Sequence, residues 1–253
     1  MTKRGYENQV VWIVGASSGI GLSLARDLSA RGAILALSAR RKDDLERIAA
    51  ELGPQHRVFA LDVTNADAVM RTAQAIRAAF GRIDRVIYLA AAYVPMKMDS
   101  LDIAVSGEIV SVNLMGAFNL VHAVFPILKE QPENSQIALC GSVAGYIGLP
   151  KGQPYSATKA AIINLAETLR AECDNHIDVK LISPGFVRTP LTEKNEFTMP
   201  ALMEAEQAAS AIADGLLSRR FEIHFPKALT VPMKMLRALP YGLSLRLMRM
   251  IKT

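Results

Sequence analysis

Short β-branched or apolar runs alternate with amphipathic helical stretches from the start of the chain. Residues 10–14 (VVWIV) read as a strand, 19–31 as a helix, 34–38 as a second strand and 43–52 as a second helix. The alternation continues with a strand at 58–61, a helix at 66–80, a strand at 85–89, a long helical stretch at 105–129 and a strand at 136–140. A helix at 155–173, a strand at 179–183, a helix at 203–218 and a strand at 221–225 complete it. This pattern predicts a doubly wound α/β fold, a parallel sheet of about seven strands with helices on both faces, because right-handed crossovers place helices on each side. No internal repeat or low-complexity segment interrupts the pattern. The 253 residues are expected to form a single domain, with 226–253 as a basic, Pro-punctuated, amphipathic extension of it.

Composition narrows the class without naming it. Apolar residues make up 51% and charged residues 21%, which is globular and far from the disordered regime. Cys140 and Cys173 have no close spacing, and His56, His122, His176 and His224 are scattered, so neither a disulfide framework nor a metal site is expected. The polar N-terminus lacks the long apolar core of a signal peptide, and a reducing, cytoplasmic setting is the expectation. The net charge of +5 is uneven: 226–253 carries six Lys or Arg and no acid, leaving −1 for residues 1–225. The basic balance therefore describes a tail, and no nucleic-acid partner is expected. Charges interrupt the tail's apolar runs well short of the about 20 residues that span a bilayer. The tail covers the substrate cleft or a subunit interface, with peripheral contact to an anionic membrane as the alternative.

Gly15, Ala16, Ser17, Ser18, Gly19, Ile20 and Gly21 follow the first strand and open the first helix. Glycines there permit a tight turn and close backbone approach to a pyrophosphate, while the helix N-terminus supplies N–H donors and positive potential. The spacing is GxxxGxG, distinct from GxGxxG, and its place after strand one makes this Rossmann-type turn a dinucleotide site. The second strand ends at Ala39, Arg40 and Arg41, where the fold places the residue that meets the adenosine ribose. A carboxylate there would repel a 2′-phosphate, whereas Arg attracts it, so the pattern points to NADP, with Arg40 the better candidate and Arg41 the more ordinary solvated charge.

Here the chain resembles the classical short-chain dehydrogenase/reductase family, whose glycine motif is this GxxxGxG. The resemblance covers residues 9–225 and includes Leu61-Asp62-Val63, where it implies that the Asp62 side chain and the Val63 amide lie near adenine. Two departures are visible. Val14 stands where the family has Thr, and Tyr88-Leu89-Ala90-Ala91 stands where it has Asn-Asn-Ala-Gly, both removing polar groups that tie the sheet to its loops.

Tyr155 and Lys159, four apart at the start of a helix, lie on one helical face. A phenol titrates near about 10, and a neighbouring ammonium favours its ionised form, fitting Tyr155 to trade a proton with a substrate oxygen. Ser142 lies just past an apolar strand, at the carboxyl edge of the sheet where ligands bind. Together Ser142, Tyr155 and Lys159 match the family's catalytic triad. Asn113 matches its fourth member, implied to hold a water in the proton relay through the lysine; on its own, a mid-helix Asn suggests a local kink. Pro184, Gly185, Val187 and Thr189 follow the sixth strand, and the resemblance implies that this turn closes over the nicotinamide, with the Val187 backbone and Thr189 hydroxyl meeting the carboxamide.

The loops around this chemistry offer Tyr93, Val94, Val143, Tyr146, Leu149, Phe186, Leu191, Met199 and Met203, an apolar set that suits a lipophilic carbonyl or alcohol. The resemblance also implies a homodimer or homotetramer in which 114–129 and 157–173 pair with their copies. The functional expectation is an NADP(H)-dependent oxidoreductase acting on a carbonyl or secondary alcohol. The rival readings are a catalytically silent NADP-sensing module and a membrane-surface scaffold.

Overall fold

The structure is a computed structural model that describes residues 5–132, 135–173 and 176–250. Ile251, Lys252 and Thr253 of the expected tail lie outside the described residues. Seven parallel strands run β1 (Val10–Val14), β2 (Ile34–Ser38), β3 (Arg57–Val58), β4 (Arg85–Tyr88), β5 (Ser135–Cys140), β6 (Ile177–Pro184) and β7 (Glu222–Phe225). They form one sheet of order β3-β2-β1-β4-β5-β6-β7. The order reverses between β1 and β4, which opens a crevice at the carboxyl ends of the strands, where the glycine turn and the chain after β4 meet.

Helices cover both faces. On one lie α1 (Gly19–Ala30), α2 (Lys42–Leu52) and α7 (Ala205–Leu216). On the other lie α3 (Ala66–Phe80), α5 (Gly116–Glu130) and α6 (Tyr155–Glu172), with α4 (Ile103–Val110) leading into α5. The period of two along each strand assigns the layers. Trp12 and Val14 of β1 pack toward Val69, Leu120 and Ile162, whereas Val11 and Ile13 join Leu24, Leu28 and Ile212 on the opposite side. All five β1 side chains are buried, the reason the strand reads as a continuous apolar run.

Three departures from the sequence pattern have local causes. The ladder at β3 stops at Val58, although Phe59 and Leu61 N–H groups still bond to the Leu37 and Ala39 carbonyls at 2.9 Å, so the run to Leu61 is extended chain beyond the paired strand. The long helix at 105–129 contains a π-helical turn, Ser111–Met115, between α4 and α5. Asn113 sits within it, as the expected kink requires, and the Tyr88 hydroxyl donates to the Val112 carbonyl there. The Pro-punctuated tail forms two helices, α8 (Lys227–Ala238) and α9 (Tyr241–Met250). Pro226 and Pro240 stand before the helix starts, where a missing N–H costs nothing; Pro232 lies inside α8 and removes one hydrogen bond from it.

The α4–α5 segment, Ile103–Glu130, is long and apolar enough to cross a bilayer by length and composition. Leu120, Ala123, Val124 and Leu128 bury its inner stripe against the sheet, which accounts for that apolar character.

Candidate active site

The glycine turn is shaped by what it excludes. A side chain at Gly21 would place its Cβ 2.0 Å from the Gly15 carbonyl oxygen, so only glycine lets α1 rise this close to β1. Gly19 has φ +53°, and its Cβ position lies 3.0 Å from the Thr189 methyl, which brings the turn after β6 against the turn after β1. Ser18 stands at the N-cap of α1 with extended backbone and no capping hydrogen bond from its side chain, and the first turn holds no acid. The positive helix end, flanked by Ser17, Ser18, Gly19 and Ile20, thus fits the pyrophosphate of a dinucleotide.

At the end of β2, the two arginines differ. Arg41 Nε pairs with Asp44 at 2.5 Å. Arg40 is exposed and makes no ion pair among the described residues, which leaves its guanidinium available to an anion. Asp62 accepts from the Thr64 N–H at 2.9 Å and its hydroxyl at 2.7 Å; these bonds hold the carboxyl below the usual range, with Arg40 adding in the same direction. Val63 is buried, and its carbonyl accepts from Asn119 Nδ2.

The structure brings Ser142, Tyr155 and Lys159 together. Ser142 leaves β5 in extended backbone as the cap of a short 3-10 turn, its Oγ accepting from the Ala144 N–H at 3.1 Å and donating to the Pro184 carbonyl at 3.4 Å. Tyr155 is the first residue of α6. Lys159 is buried, its Nζ 5.4 Å from the Tyr155 ring centre and donating to the Cys140 carbonyl at 2.7 Å. Burial, not the ammonium, sets the direction of the phenol: Tyr155 is pushed above its ordinary value by desolvation, while Ser142 pulls the other way. Burial likewise pushes Lys159 down. In the cofactor-free protein the Lys159 ammonium is turned to the Cys140 carbonyl, and desolvation has the larger influence on the phenol.

Asn113 is held in place by its amide. Its Oδ1 accepts from the Ala92 N–H at 2.7 Å, and its Nδ2 donates to the Ala92 carbonyl at 3.0 Å and to Thr158 Oγ1 at 3.1 Å. The side chain therefore clips the chain after β4 to the first turn of α6, a tie that Ala90 and Ala91 do not supply. After β6, the Gly185 N–H bonds to the Phe225 carbonyl at 2.7 Å, Val187 is buried beside Met203, and Thr192 Oγ1 donates to the Val187 carbonyl at 2.6 Å and faces the Thr189 hydroxyl at 3.3 Å.

Tyr155 and Ser142 open into a cavity of about 790 Å³ lined also by Tyr93, Val143, Leu149, Phe186 and Leu191, as the sequence indicated. Four expected wall residues lie elsewhere. Val94 is exposed, Met203 bridges the Val187 backbone, Met199 Sδ accepts from Asn195, and the Tyr146 hydroxyl turns to Glu222. The sequence pattern missed Met96, Phe197, Leu229 and Met233. Leu229 and Met233 come from α8, so the first helix of the tail forms part of the cleft wall; the only signal for this was its apolar content.

Known proteins resemble this chain in sequence and in fold. The family model for short chain dehydrogenases matches residues 9–199. An uncharacterized oxidoreductase of Myxococcus xanthus is 33% identical over 244 residues, covering 95% of each chain. The Arabidopsis thaliana 11-beta-hydroxysteroid dehydrogenase 1A is 34% identical over 195 residues, 75% of this chain and 55% of the relative. Among solved structures, a short chain dehydrogenase from Burkholderia cenocepacia J2315 in complex with NADP superimposes with a TM-score of 0.83 at 26% identity, covering 95% of this chain and 98% of that one. The chain belongs to the short-chain dehydrogenase/reductase family and is an oxidoreductase by that membership.

Proposed function

We propose that this protein is an NADP(H)-dependent oxidoreductase that interconverts a carbonyl and a secondary alcohol on a lipophilic small molecule. The observation that carries the reading is the convergence of Tyr155, Ser142 and Lys159 beside an apolar cavity of about 790 Å³. The nicotinamide supplies or accepts the hydride when bound. Tyr155 donates its phenolic proton to the substrate oxygen in reduction and takes it back in oxidation. Ser142 orients that oxygen by hydrogen bonding, and Lys159, fixed by the Cys140 carbonyl, stabilises the phenolate left after transfer. Gly15, Ser17, Ser18, Gly19, Ile20 and Gly21 would hold the pyrophosphate, Asp62 and Val63 would meet adenine, and Pro184, Gly185, Val187 and Thr189 would border the nicotinamide.

Arg40 supports the phosphorylated cofactor, and the Burkholderia neighbour's NADP complex points the same way. Phe186, Leu191, Leu229 and Met233 support a lipophilic substrate, as do the names of the hydroxysteroid dehydrogenase relatives. The test is a panel of lipophilic ketones and alcohols followed by nicotinamide absorbance, with Tyr155→Phe as the control. The variant loses about 10²- to 10⁴-fold in turnover while binding NADPH nearly as tightly. Wild-type-like turnover by Tyr155→Phe would overturn the mechanism.

A further inference from the structure

Helix α8 has two apolar faces. Its inner face places Leu229 and Met233 in the cavity wall. Its outer face carries Ala228, Val231, Met235 and Ala238 at helical spacing, all exposed, with Met235 at 65%. Helix α9 buries Ser244 and Met248, one turn apart, and leaves Leu243 and Leu247 as an exposed stripe beside Arg246 and Arg249; Tyr241 is 82% exposed. Of the twelve exposed large apolar side chains among the described residues, six fall between 231 and 247. A concentration of this kind marks an interaction surface.

We propose that α8 and α9 dock the protein on an anionic membrane surface, with these apolar side chains entering the headgroup boundary and the cations meeting lipid phosphates. Charge decides the occupant. The segment 226–253 holds Lys227, Lys234, Arg237, Arg246, Arg249 and Lys252 and no acid. Among the described residues Glu222 meets this segment and is engaged by Lys234 and the Tyr146 hydroxyl, so Lys234 is paired and the other cations carry the contact. A twofold contact between copies would set this cationic patch against itself, whereas an anionic bilayer neutralises it. Neither helix, at 12 and 10 residues, is long enough to span, so the contact is peripheral. Docking stands independently of the catalytic reading; if both hold, α8 is at once membrane contact and cavity wall.

The experiment is cosedimentation of the full-length protein with vesicles of phosphatidylcholine alone and of phosphatidylcholine mixed with phosphatidylserine. Binding is expected to the anionic vesicles only and weakens with salt. The pairs Leu243→Asp with Leu247→Asp and Arg246→Glu with Arg249→Glu each lower the bound fraction about tenfold or more. NADPH binding and thermal unfolding, measured in parallel, stay at wild-type values and show that the variants fold; Leu243→Ser with Leu247→Ser is the milder control. No binding to the anionic vesicles, or equal binding by wild type and variants, overturns the proposal. A variant that lowers the solution mass without changing vesicle binding assigns the patch to a second copy and overturns it as well.

Discussion

The ring of Tyr93 meets that of Tyr155 edge to face, with centroids 4.9 Å apart and planes at 64°. The Tyr93 hydroxyl donates to Asn195 Oδ1 at 2.8 Å, and its carbonyl accepts from Lys194 Nζ at 2.9 Å. Tyr93, in the loop that follows β4, thus touches the proposed proton donor and fastens the loop after β6 across the cavity.

Replacing Tyr93 separates these two roles. Tyr93→Phe keeps the ring contact and loses the hydroxyl tie, so KM rises about two- to tenfold, the worth of one hydrogen bond, with kcat little changed. Tyr93→Ala also frees the Tyr155 ring and lowers kcat. Steady-state kinetics on both variants decide it: identical kcat for the two would show that Tyr93 is cavity wall alone.

Burial governs the ionisation of Tyr155. Because desolvation raises the phenol, no tyrosinate from Tyr155 forms below about pH 10 in the cofactor-free protein. The neutral phenol's contribution to stability is present below the ordinary phenol value and is lost as pH rises through the raised one. Adding oxidised cofactor, whose nicotinamide ring is cationic, lowers the value, and alcohol oxidation accelerates with pH while ketone reduction does not. The measurement is the ultraviolet tyrosinate signal of wild type minus Tyr155→Phe. A difference already present at neutral pH without cofactor would refute the burial argument.

The proposed preference for NADP(H) rests on Arg40. With Arg41 held by Asp44, Arg40 provides the free cation, and a charge-assisted contact of about 1.5 to 3 kcal/mol corresponds to a roughly tenfold to hundredfold preference for NADP(H). Ala39→Asp with Arg40→Ala reverses the order by adding repulsion to lost attraction. The ratio of catalytic efficiencies with the two cofactors is the readout. Wild-type preference for NAD(H), or a ratio unmoved by the double substitution, would show that both arginines are ordinary strand-end charges.

Met115 and Phe118 leave 49% and 45% of their surface exposed on the α4–α5 face away from the sheet. In the homo-oligomer that the family resemblance implies, 114–129 pairs with its copy, and Phe118→Glu is then expected to shift the protein to a smaller mass in sedimentation, with cofactor affinity retained. Monomeric wild-type protein at micromolar concentration would remove the assignment.

The sequence by itself determined the layers, the turns and the spacing of the chemistry. Strand periodicity places Val11 and Ile13 opposite Trp12 and Val14, GxxxGxG after β1 dictates the tight entry to α1, and Tyr155 and Lys159 share a face because four residues make one helical turn. These are consequences of local geometry, which a chain carries within a few residues. Only the tertiary structure decided the rest. Leu229 and Met233 reach the cavity from α8, Tyr93 fastens Asn195 over 102 positions, and Asp44 pairs with Arg41 while Arg40 makes no ion pair among the described residues. The same holds for Tyr155: spacing supplied a neighbouring ammonium, but the phenol's ionisation follows its desolvation, which is set by everything packed around it and is legible in no single stretch of sequence.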